Sequence, residues 1–451
     1  MTEVIAVFDI GKTNKKILLF DHSFKVLSQN VAKFPVTADE DGFECDDIDL
    51  ITTWIREELE NISASKDYKL VGVNFSTYGA SLMFLNKEGK RLTPVYNYLK
   101  KISPTIQNNL FMEYDGKDEF CRKTASPALG LLLNSGIQVL WLQNEKPKIF
   151  NQATAILHFP QYLSFSLTGK IVSEPTSIGC HTFMWDFDRM TYHRWVSDKG
   201  VKLPEPVTND VTFPVTIAGN EVQVGTGIHD SSASLVPYLK GSAEDFILVS
   251  TGTWCINMNP FNKEPLTANE LQQDCLCFLT PEKKQVKSSR LFMGHFHEVW
   301  VEKLAKHFGV EDDQFKKVKN DTKLVKQLQK DMPEAVYFPD GKESFKAGLE
   351  AVDLNLFLNY EEAYTKLMID LTGLCVTSIH LVIPENDSTK TLYVSGGFAR
   401  NPIFIDLLKQ RFPRKKVLVS EIDNSSALGA AMVISDTFSS SDLSDFDLGI
   451  S

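Results

Sequence analysis

Runs of apolar residues broken by short polar turns predict an α/β protein. Near the N-terminus, residues 4–8 are apolar, residues 9–14 are rich in turn-forming residues, and residues 17–20 are apolar again, which predicts a β-hairpin. The same order of strand, turn and strand recurs over residues 246–258. Two such hairpins about half a chain apart indicate a duplicated domain in which both turns face one cleft.

Further periodic runs predict the remaining elements and the domain limits. Strands are predicted at residues 69–75, 222–225, 391–395 and 416–420, and helices at residues 136–143, 160–168, 231–239, 402–408 and 425–431. We expect an N-terminal domain of residues 1–241 and a C-terminal domain of residues 242–451. Within the second domain, residues 305–350 are rich in Lys, Asp and Glu and predict a charged helical insert. Residues 439–451 are biased toward Ser and Asp, and we expect a poorly ordered tail.

Composition narrows the classes of partner. The net charge of -11 argues against nucleic acid or an anionic membrane as the main partner. No basic leader precedes the first strand and no apolar run is long enough to span a bilayer, so we expect a cytoplasmic protein. The seven cysteines are scattered, as in a protein kept reduced. The oligomeric state stays open, with a homodimer as one option.

The first turn suggests phosphate binding, although residues 11–13 (Gly-Lys-Thr) do not complete a P-loop. That motif needs a glycine where this chain has Ala6, and a helix where residues 17–20 continue as a strand.

The same turn suits phosphates in another way. Asp9 ends a strand and can bind Mg²⁺ directly or through water. Gly11 allows close approach of the backbone, while Lys12, Thr13 and Asn14 can donate to phosphate oxygens. The alternative is an ordinary hairpin turn, in which Asp, Gly and Asn are common for conformational reasons.

Asp230 is the candidate catalytic base. It follows His229 at the predicted end of an apolar run and the start of a predicted helix. A carboxylate there can take the proton of a hydroxyl that attacks a γ-phosphate. The alternative role for Asp230 is the N-cap of helix 231–239, and the two roles are compatible.

In their order along the chain, these motifs resemble the FGGY family of carbohydrate kinases, within the superfamily that also holds actin-like and heat-shock-chaperone ATPases. The resemblance rests on the turn 9–13, Gly227 to Asp230, the turn 250–253, Gly396-Gly397 with Asn401, and the small-residue helix 427–431. It implies two ribonuclease-H-like α/β domains that flank a cleft for ATP and a sugar.

The resemblance also implies roles for individual residues. Asp9 lies near Mg²⁺, and Asp230 acts as the general base. The residues implied for nucleotide binding are Gly11, Lys12, Thr13, Asn14, Thr251, Gly252, Thr253, Gly396, Gly397 and Asn401. The residues implied for sugar binding are Ser76, Tyr78, Gly79, Ser81, Asn97, His181 and His229.

The sugar pocket departs from the family pattern. Over residues 76–81 the chain resembles rhamnulose and fuculose kinases, yet it has Ser81 where these tend to be acidic. Asn97 and Lys100 replace a common aspartate and arginine, and His181 replaces a frequent arginine. The expected activity is ATP-dependent phosphorylation of a ketose such as L-rhamnulose, L-fuculose or a xylulose. The alternatives are a non-catalytic sugar or nucleotide sensor and a sugar-independent ATPase on the same scaffold.

Overall fold

The computed structural model describes residues 1–332, 338, 352–440, 446 and 448–450. The strands are β1 (Thr2–Ile10), β2 (Lys15–Phe20), β3 (Val26–Ala32), β4 (Val36–Ala38), β5 (Glu44–Asp46), β6 (Tyr68–Thr77), β7 (Leu82–Leu85), β8 (Ala155–His158), β9 (Trp185–Asp186), β10 (Thr191–Tyr192), β11 (Thr212–Ile217), β12 (Asn220–Gly225), β13 (Ile228–His229), β14 (Phe246–Thr251), β15 (Cys255–Asn259), β16 (Cys275–Leu279), β17 (Gln285–Leu291), β18 (Thr391–Gly396) and β19 (Lys416–Val419).

The helices follow the same chain order. They are α1 (Ile48–Ser63), α2 (Pro104–Glu113), α3 (Lys117–Lys123), α4 (Ser135–Glu145), α5 (Pro147–Gln152), α6 (Phe159–Thr168), α7 (Pro175–Ile178), α8 (Arg194–Asp198), α9 (Asp230–Gly241), α10 (Ala268–Gln272), α11 (Met293–Phe308), α12 (Thr322–Asp331), α13 (Tyr360–His380), α14 (Pro402–Arg411) and α15 (Ser425–Val433). None of these described helices combines the length and the apolar character that crossing a membrane requires.

The first sheet brings three strand ends together. Its strands lie in the order β11, β12, β6, β1, β2, β3, with β13 also paired to β6. Strand β1 is parallel to β6, with Asp9 opposite Ser76, and β13 is parallel to β6, with Ile228 opposite Ser76. Because parallel strands end at the same edge of a sheet, Asp9 and the start of α9 reach one region.

The second sheet repeats this arrangement, which confirms the duplicated α/β fold. Its order is β16, β17, β15, β14, β18, β19. Strand β14 is antiparallel to β15 and parallel to β18, just as β1 is antiparallel to β2 and parallel to β6. The register places Thr251 opposite Gly396. Long apolar runs form both central strands because helices cover both faces of each sheet.

Helix α15 crosses back to the first sheet from the predicted C-terminal domain. Its buried residues Ala427, Ala430 and Ala431 share one apolar cluster with residues of β1 and β2. A Cβ placed on Gly429 would lie 1.9 Å from the carbonyl oxygen of Ala233 in α9. The small side chains therefore allow the two helix backbones to touch.

Two segments differ in part from the expectations. In the predicted insert, the described residues hold the end of α11 and helix α12, whereas residues 333–337 and 339–350 lie outside the described residues. In the tail, residues 441–445, 447 and 451 lie outside them too. The described tail residue Leu448 is buried, and its carbonyl accepts a hydrogen bond from Ser420 Oγ at 3.0 Å. Leu448 also packs in an apolar cluster with Leu235 and Tyr238 of α9, although the tail is polar in composition.

Candidate active site

Two carboxylates meet where the strands of the first sheet end. Asp9 Oδ1 accepts a hydrogen bond from Ser426 Oγ of α15 at 3.2 Å. Burial raises the pKa of Asp9 above its ordinary value, and the negative charge of Asp230 raises it further. Two acidic groups held close together repel one another, and such a site attracts a cation or a proton.

Asp230 is not the N-cap of its helix. The N-cap of α9 is His229, which makes no side-chain cap bond, and Asp230 is the first helical residue. Its carboxylate accepts from the N–H of Ser231 at 2.6 Å, and its side chain is 39% exposed. The surrounding protein nevertheless raises the pKa of Asp230 to about 6. Asp230 is therefore ionised at neutral pH and close to the point at which it takes up a proton.

His229 lies beside Asp230 as a neutral side chain. Its Nε2 is 3.4 Å from Asp230 Oδ1, and burial lowers the pKa of His229 to about 4. The ring packs against Gly79, where a Cβ would lie only 2.7 Å from His229 Nε2. Glycine is thus required at position 79 by the histidine ring.

A buried carboxylate that sequence reasoning missed supports this strand end. The N–H of His229 donates to Thr176 Oγ1 at 2.9 Å, and Thr176 Oγ1 donates to Glu174 Oε2 at 2.6 Å. Glu174 is fully buried and also accepts from the N–H of Ser177 at 2.7 Å. The signal was present in the sequence as an acidic residue before Pro-Thr-Ser at a helix start.

The first hairpin turn exposes two of the predicted phosphate ligands. Thr13 and Asn14 are exposed, and the N–H of Gly11 donates to the carbonyl of Asn14 at 3.0 Å. The turn is thereby closed, with its two polar side chains available to a ligand.

Lys12 forms an ion pair with Asp46, a residue that the sequence did not indicate as part of the site. Its Nζ is 2.8 Å from Asp46 Oδ2, and Asp46 also receives Lys15 Nζ at 2.7 Å and the Tyr78 hydroxyl at 2.6 Å. Burial opposes ionisation of Asp46, but the hydrogen bonds from Lys12, Lys15 and Tyr78 keep its pKa below the ordinary value. The hydroxyl of Tyr78, predicted as a sugar ligand, is therefore engaged with Asp46.

The remaining predicted sugar residues are mostly buried. Ser76 and Ser81 are almost fully buried, and Asn97 Oδ1 accepts from the N–H of Leu99 at 3.0 Å within its own turn. His181 has a left-handed backbone (φ 40°), and burial followed by the charge of Arg290 lowers its pKa to about 3. His181 is therefore a neutral residue in this pocket.

Neighbouring residues modify the pocket beyond these predictions. Lys100 Nζ lies 2.5 Å from both Asp39 Oδ2 and Asp41 Oδ2, so its charge is neutralised by the segment 39–41. Sequence reasoning missed Tyr98. Burial raises the pKa of its hydroxyl, and the charge of Asp230 raises it further. Tyr98 is thus close enough to Asp230 to be affected by its charge.

The second hairpin turn leads into a cavity of about 600 Å³. Gly252, Thr253, Gly397 and Asn401 line it, together with Gly294, His297, Glu298, Phe315, Lys316, Val318, Tyr364, Phe398, Arg400 and Pro402. The volume and the aromatic lining suit a nucleoside.

Thr251 has a structural task at the rim of this cavity. Its Oγ1 donates to the carbonyl of Ser395 at 2.5 Å and accepts from the N–H of Phe398 at 3.0 Å. Gly396 has φ 85°, and a Cβ there would lie 1.8 Å from the carbonyl oxygen of Thr251. Thr251 thus holds the Gly396-Gly397 turn in place.

Asn401 caps α14, as its position before Pro402 predicts. Its Oδ1 accepts from the N–H of Ile403 at 3.0 Å. Its Nδ2 donates to the hydroxyl of Tyr364 at 2.8 Å, and His297 Nε2 lies 3.2 Å from the same hydroxyl. Both edges of the amide are used within the protein.

The two repeated sheets, each with a hairpin turn beside its central strand, and the cavity beyond the second turn define a protein of the actin-like, ribonuclease-H-like class. Two family models match this chain, one in each half. Residues 4–199 match the N-terminal domain and residues 243–442 the C-terminal domain of the FGGY family of carbohydrate kinases. The protein belongs to this family, whose members use ATP with a metal ion.

Curated relatives include rhamnulokinases. The rhamnulokinase of Oceanobacillus iheyensis is 24% identical over 270 residues, which cover 55% of this chain and 54% of that protein. The rhamnulokinase of Mannheimia succiniciproducens is 24% identical over 265 residues, covering 56% of this chain and 52% of that protein. The chain thus spans about half the length of the curated relatives it matches.

Solved structures share the fold over nearly the whole chain. A carbohydrate kinase from Novosphingobium aromaticivorans has a TM-score of 0.79 at 24% identity, covering 95% of this chain and 91% of that chain. A ligand-bound xylulose kinase from Lactobacillus acidophilus has a TM-score of 0.76 at 17% identity, covering 100% of this chain and 92% of that chain.

Proposed function

We propose that this protein transfers the γ-phosphoryl group of ATP to a hydroxyl of a monosaccharide, a ketose such as L-rhamnulose, L-fuculose or a xylulose. The observation that carries the proposal is the Asp230 carboxylate, which is partly exposed at the end of a strand and has a pKa raised to about 6. It lies at the end of the first sheet, near a second carboxylate, Asp9. The family and the rhamnulokinase relatives support the same reaction.

Asp230 acts as the general base in this proposal. The sugar hydroxyl loses its proton to Asp230 as its oxygen bonds to the γ-phosphorus, and the bond from that phosphorus to the bridging oxygen breaks to release ADP. Such a base contributes about 10²–10⁴-fold in rate. Neutral His229 beside it can hydrogen-bond without adding a charge that would depress the pKa of the base.

The residues present fit a nucleotide and a magnesium ion. The cavity beyond the second turn would hold the nucleoside, with Gly252 and Thr253 at the phosphate end. Among the described residues, no three side chains of His, Cys, Asp or Glu gather as a metal site. Mg²⁺ usually binds through one or two carboxylates and substrate phosphates, so Asp9 suits it. Bound there, Mg²⁺ would neutralise phosphate charge.

We also propose that the protein works in the cytoplasm. The seven cysteines are buried free thiols, as expected where thiols stay reduced.

The test is an assay that couples ADP release to a detectable signal, with Mg-ATP and a panel of candidate acceptors. The panel holds the ketoses L-rhamnulose, L-fuculose, D-xylulose, L-xylulose and L-ribulose, and the polyol glycerol. We expect one ketose to stimulate turnover strongly and Asp230→Asn to abolish it. Asp49→Asn is the matched control, because Asp49 also lies in the first turn of a helix, α1, but is 79% exposed away from the site. Sugar-independent hydrolysis would instead indicate an ATPase, and binding without turnover a sensor.

A further inference from the structure

An arginine of the second sheet points into the cleft. In β17, Ser289 Oγ donates to the carbonyl of Ser378 in α13 at 2.6 Å, so Ser289 faces that helix. Successive strand residues point to opposite faces, which turns Arg290 toward the first domain. Val286, on the same face as Arg290, packs in one cluster with Leu235 of α9.

The guanidinium of Arg290 is held in a fixed position. Its Cζ lies 5.5 Å from the ring centroid of Trp254, and one terminal nitrogen is 3.2 Å from Asp274 Oδ1. Trp254 follows Thr253 of the second turn and is 41% exposed. An aromatic face and a single carboxylate oxygen orient the planar fork but do not use all of its five donors. Its Nε, in particular, is without an acceptor among the described residues.

Arg290 lies between the phosphate turn and the acceptor pocket. Burial lowers the pKa of His181, and the charge of Arg290 lowers it further. The charges of Asp230 and Arg290 also act on the neighbouring thiol of Cys180. Cys180 Sγ lies 3.7 Å from where a Cβ of Gly79 would be, beside the ring of His229. Arg290 therefore lies near residues 180–181, of which Cys180 borders Gly79.

Several lysines of the first domain are engaged within the protein, and Lys16 Nζ, for example, donates to Asn424 Oδ1 at 3.0 Å. Lys12 and Lys15 are bound to Asp46, and Lys100 is bound to Asp39 and Asp41. A phosphoryl group in transfer spreads its charge over three oxygens and needs donors placed around it. On the side of the second domain, Arg290 is placed to supply them.

Resting on the proposed kinase activity, we infer that Arg290, stacked on Trp254, binds an anionic oxygen of the phosphoryl group as it passes from ATP to the sugar. Closure of the two domains brings the guanidinium to that group, which lies between the second turn and the acceptor hydroxyl. Arg290 is then a catalytic residue of the second domain that complements Asp230 of the first.

The experiment is steady-state kinetics of Arg290→Gln and Arg290→Lys with the ketose that the panel identifies. We expect Arg290→Gln to lower kcat by about 10²–10³-fold, the cost of losing one transition-state donor, with both KM values within about threefold. Arg290→Lys, which keeps the charge but loses the fork, is expected to recover about tenfold of that loss.

The matched control is Arg194→Gln. Arg194 also stacks on an aromatic ring, with Cζ 5.2 Å from the Tyr114 centroid, and also pairs with a carboxylate, Asp115, at 3.7 Å. It is 55% exposed, and we expect its kinetics to match the wild type. Thermal unfolding of all variants checks that the fold persists.

Two outcomes of the variant kinetics would overturn the inference. Wild-type kcat in Arg290→Gln would remove Arg290 from the reaction, and a raised sugar KM with unchanged kcat would assign it to sugar binding instead. The proposed function fails separately: no sugar then stimulates the wild type at all, which overturns both. If the wild type turns over and Asp230→Asn does not, the proposed function stands. The Arg290 variants then test the role of Arg290 alone.

Discussion

Ser426 donates a hydrogen bond to Asp9 at 3.2 Å, although 417 positions separate the two residues along the chain. Ser426 lies in α15, whose remaining buried residues pack on the first sheet. Helix α15 therefore positions the carboxylate of Asp9, which would lie beside the metal ion in the proposed function. The close approach of α15 to α9 at Gly429 is what permits this contact.

We expect Gly429→Ala to destabilise the protein and to displace Ser426 from Asp9. The added Cβ would lie 1.9 Å from the carbonyl oxygen of Ala233, a backbone atom that cannot rotate away. Overpacking of this kind costs about 1–3 kcal/mol or more of the free energy of unfolding. Urea unfolding followed by circular dichroism measures the loss.

Gly373→Ala is the matched control for this prediction. Gly373 is also a helix residue, in α13, but a Cβ there would meet no atom within 4 Å. We expect it to stabilise the protein by about 0.5–1 kcal/mol, because alanine is the better helix former. Equal stability of the two alanine variants would show that α15 and α9 are not in backbone contact.

The pKa of Asp230 predicts how turnover depends on pH. Because the base must be ionised, kcat/KM should fall about tenfold for each pH unit below about pH 6 and level off above it. A profile of kcat/KM from pH 4.5 to pH 9 measures this. An apparent pKa near the ordinary carboxyl value of 3.8 would contradict the raised pKa.

The same raised pKa predicts that the base lowers stability. At neutral pH the folded protein holds Asp230 ionised against its environment, so Asp230→Asn should raise the free energy of unfolding by about 1 kcal/mol, since solvent at the cleft screens part of the effect. The folded-state pKa lies above the unfolded value, so the difference between the variants should grow from about pH 4 to about pH 6. Chemical unfolding at pH 4 and pH 7 tests this, and a destabilised Asp230→Asn at pH 7 would contradict it.

Local signals in the sequence predicted the fold and the local structure around several candidate site residues. The hairpins, the position of Asp230 at a helix start and the cap at Asn401 depend on residues within a few positions of each other. Asp46 was missed because its partners are distant along the chain. Glu174 has partners two and three positions away, but the sequence did not show that its carboxylate is buried. Lys12, for example, looks like a free phosphate ligand until the fold brings Asp46, 34 positions away, to its ammonium group.

Asp46 provides the next prediction. Lys15 is 3% exposed, and Asp46→Asn would leave its charge buried without a carboxylate. Removal of one partner of a buried pair costs about 3–5 kcal/mol, so we expect a large fall in the midpoint of thermal unfolding.

Lys12→Met is the partner variant, because it keeps the pair of Lys15 and Asp46. Lys12 has a 28% exposed side chain, so its loss should cost about 1 kcal/mol or less. If Lys12 stays on Asp46 during turnover, the KM for ATP should change less than about threefold. A tenfold rise would show that Lys12 leaves Asp46 and contacts the phosphates.

The last prediction concerns the hydroxyl of Tyr364 in the nucleoside cavity. Tyr364→Phe removes the acceptor of Asn401 Nδ2 and the partner of His297 Nε2, leaving two polar groups of the cavity wall unpaired. We expect a loss of about 1–3 kcal/mol in the free energy of unfolding and a several-fold higher KM for ATP. Tyr360→Phe is the matched control, since its ring stacks on Tyr364 at 6.1 Å and its buried hydroxyl has no partner among the described residues. That variant should be as stable as the wild type or more so, and an equal effect of both substitutions would contradict the role of the Tyr364 hydroxyl in shaping the cavity.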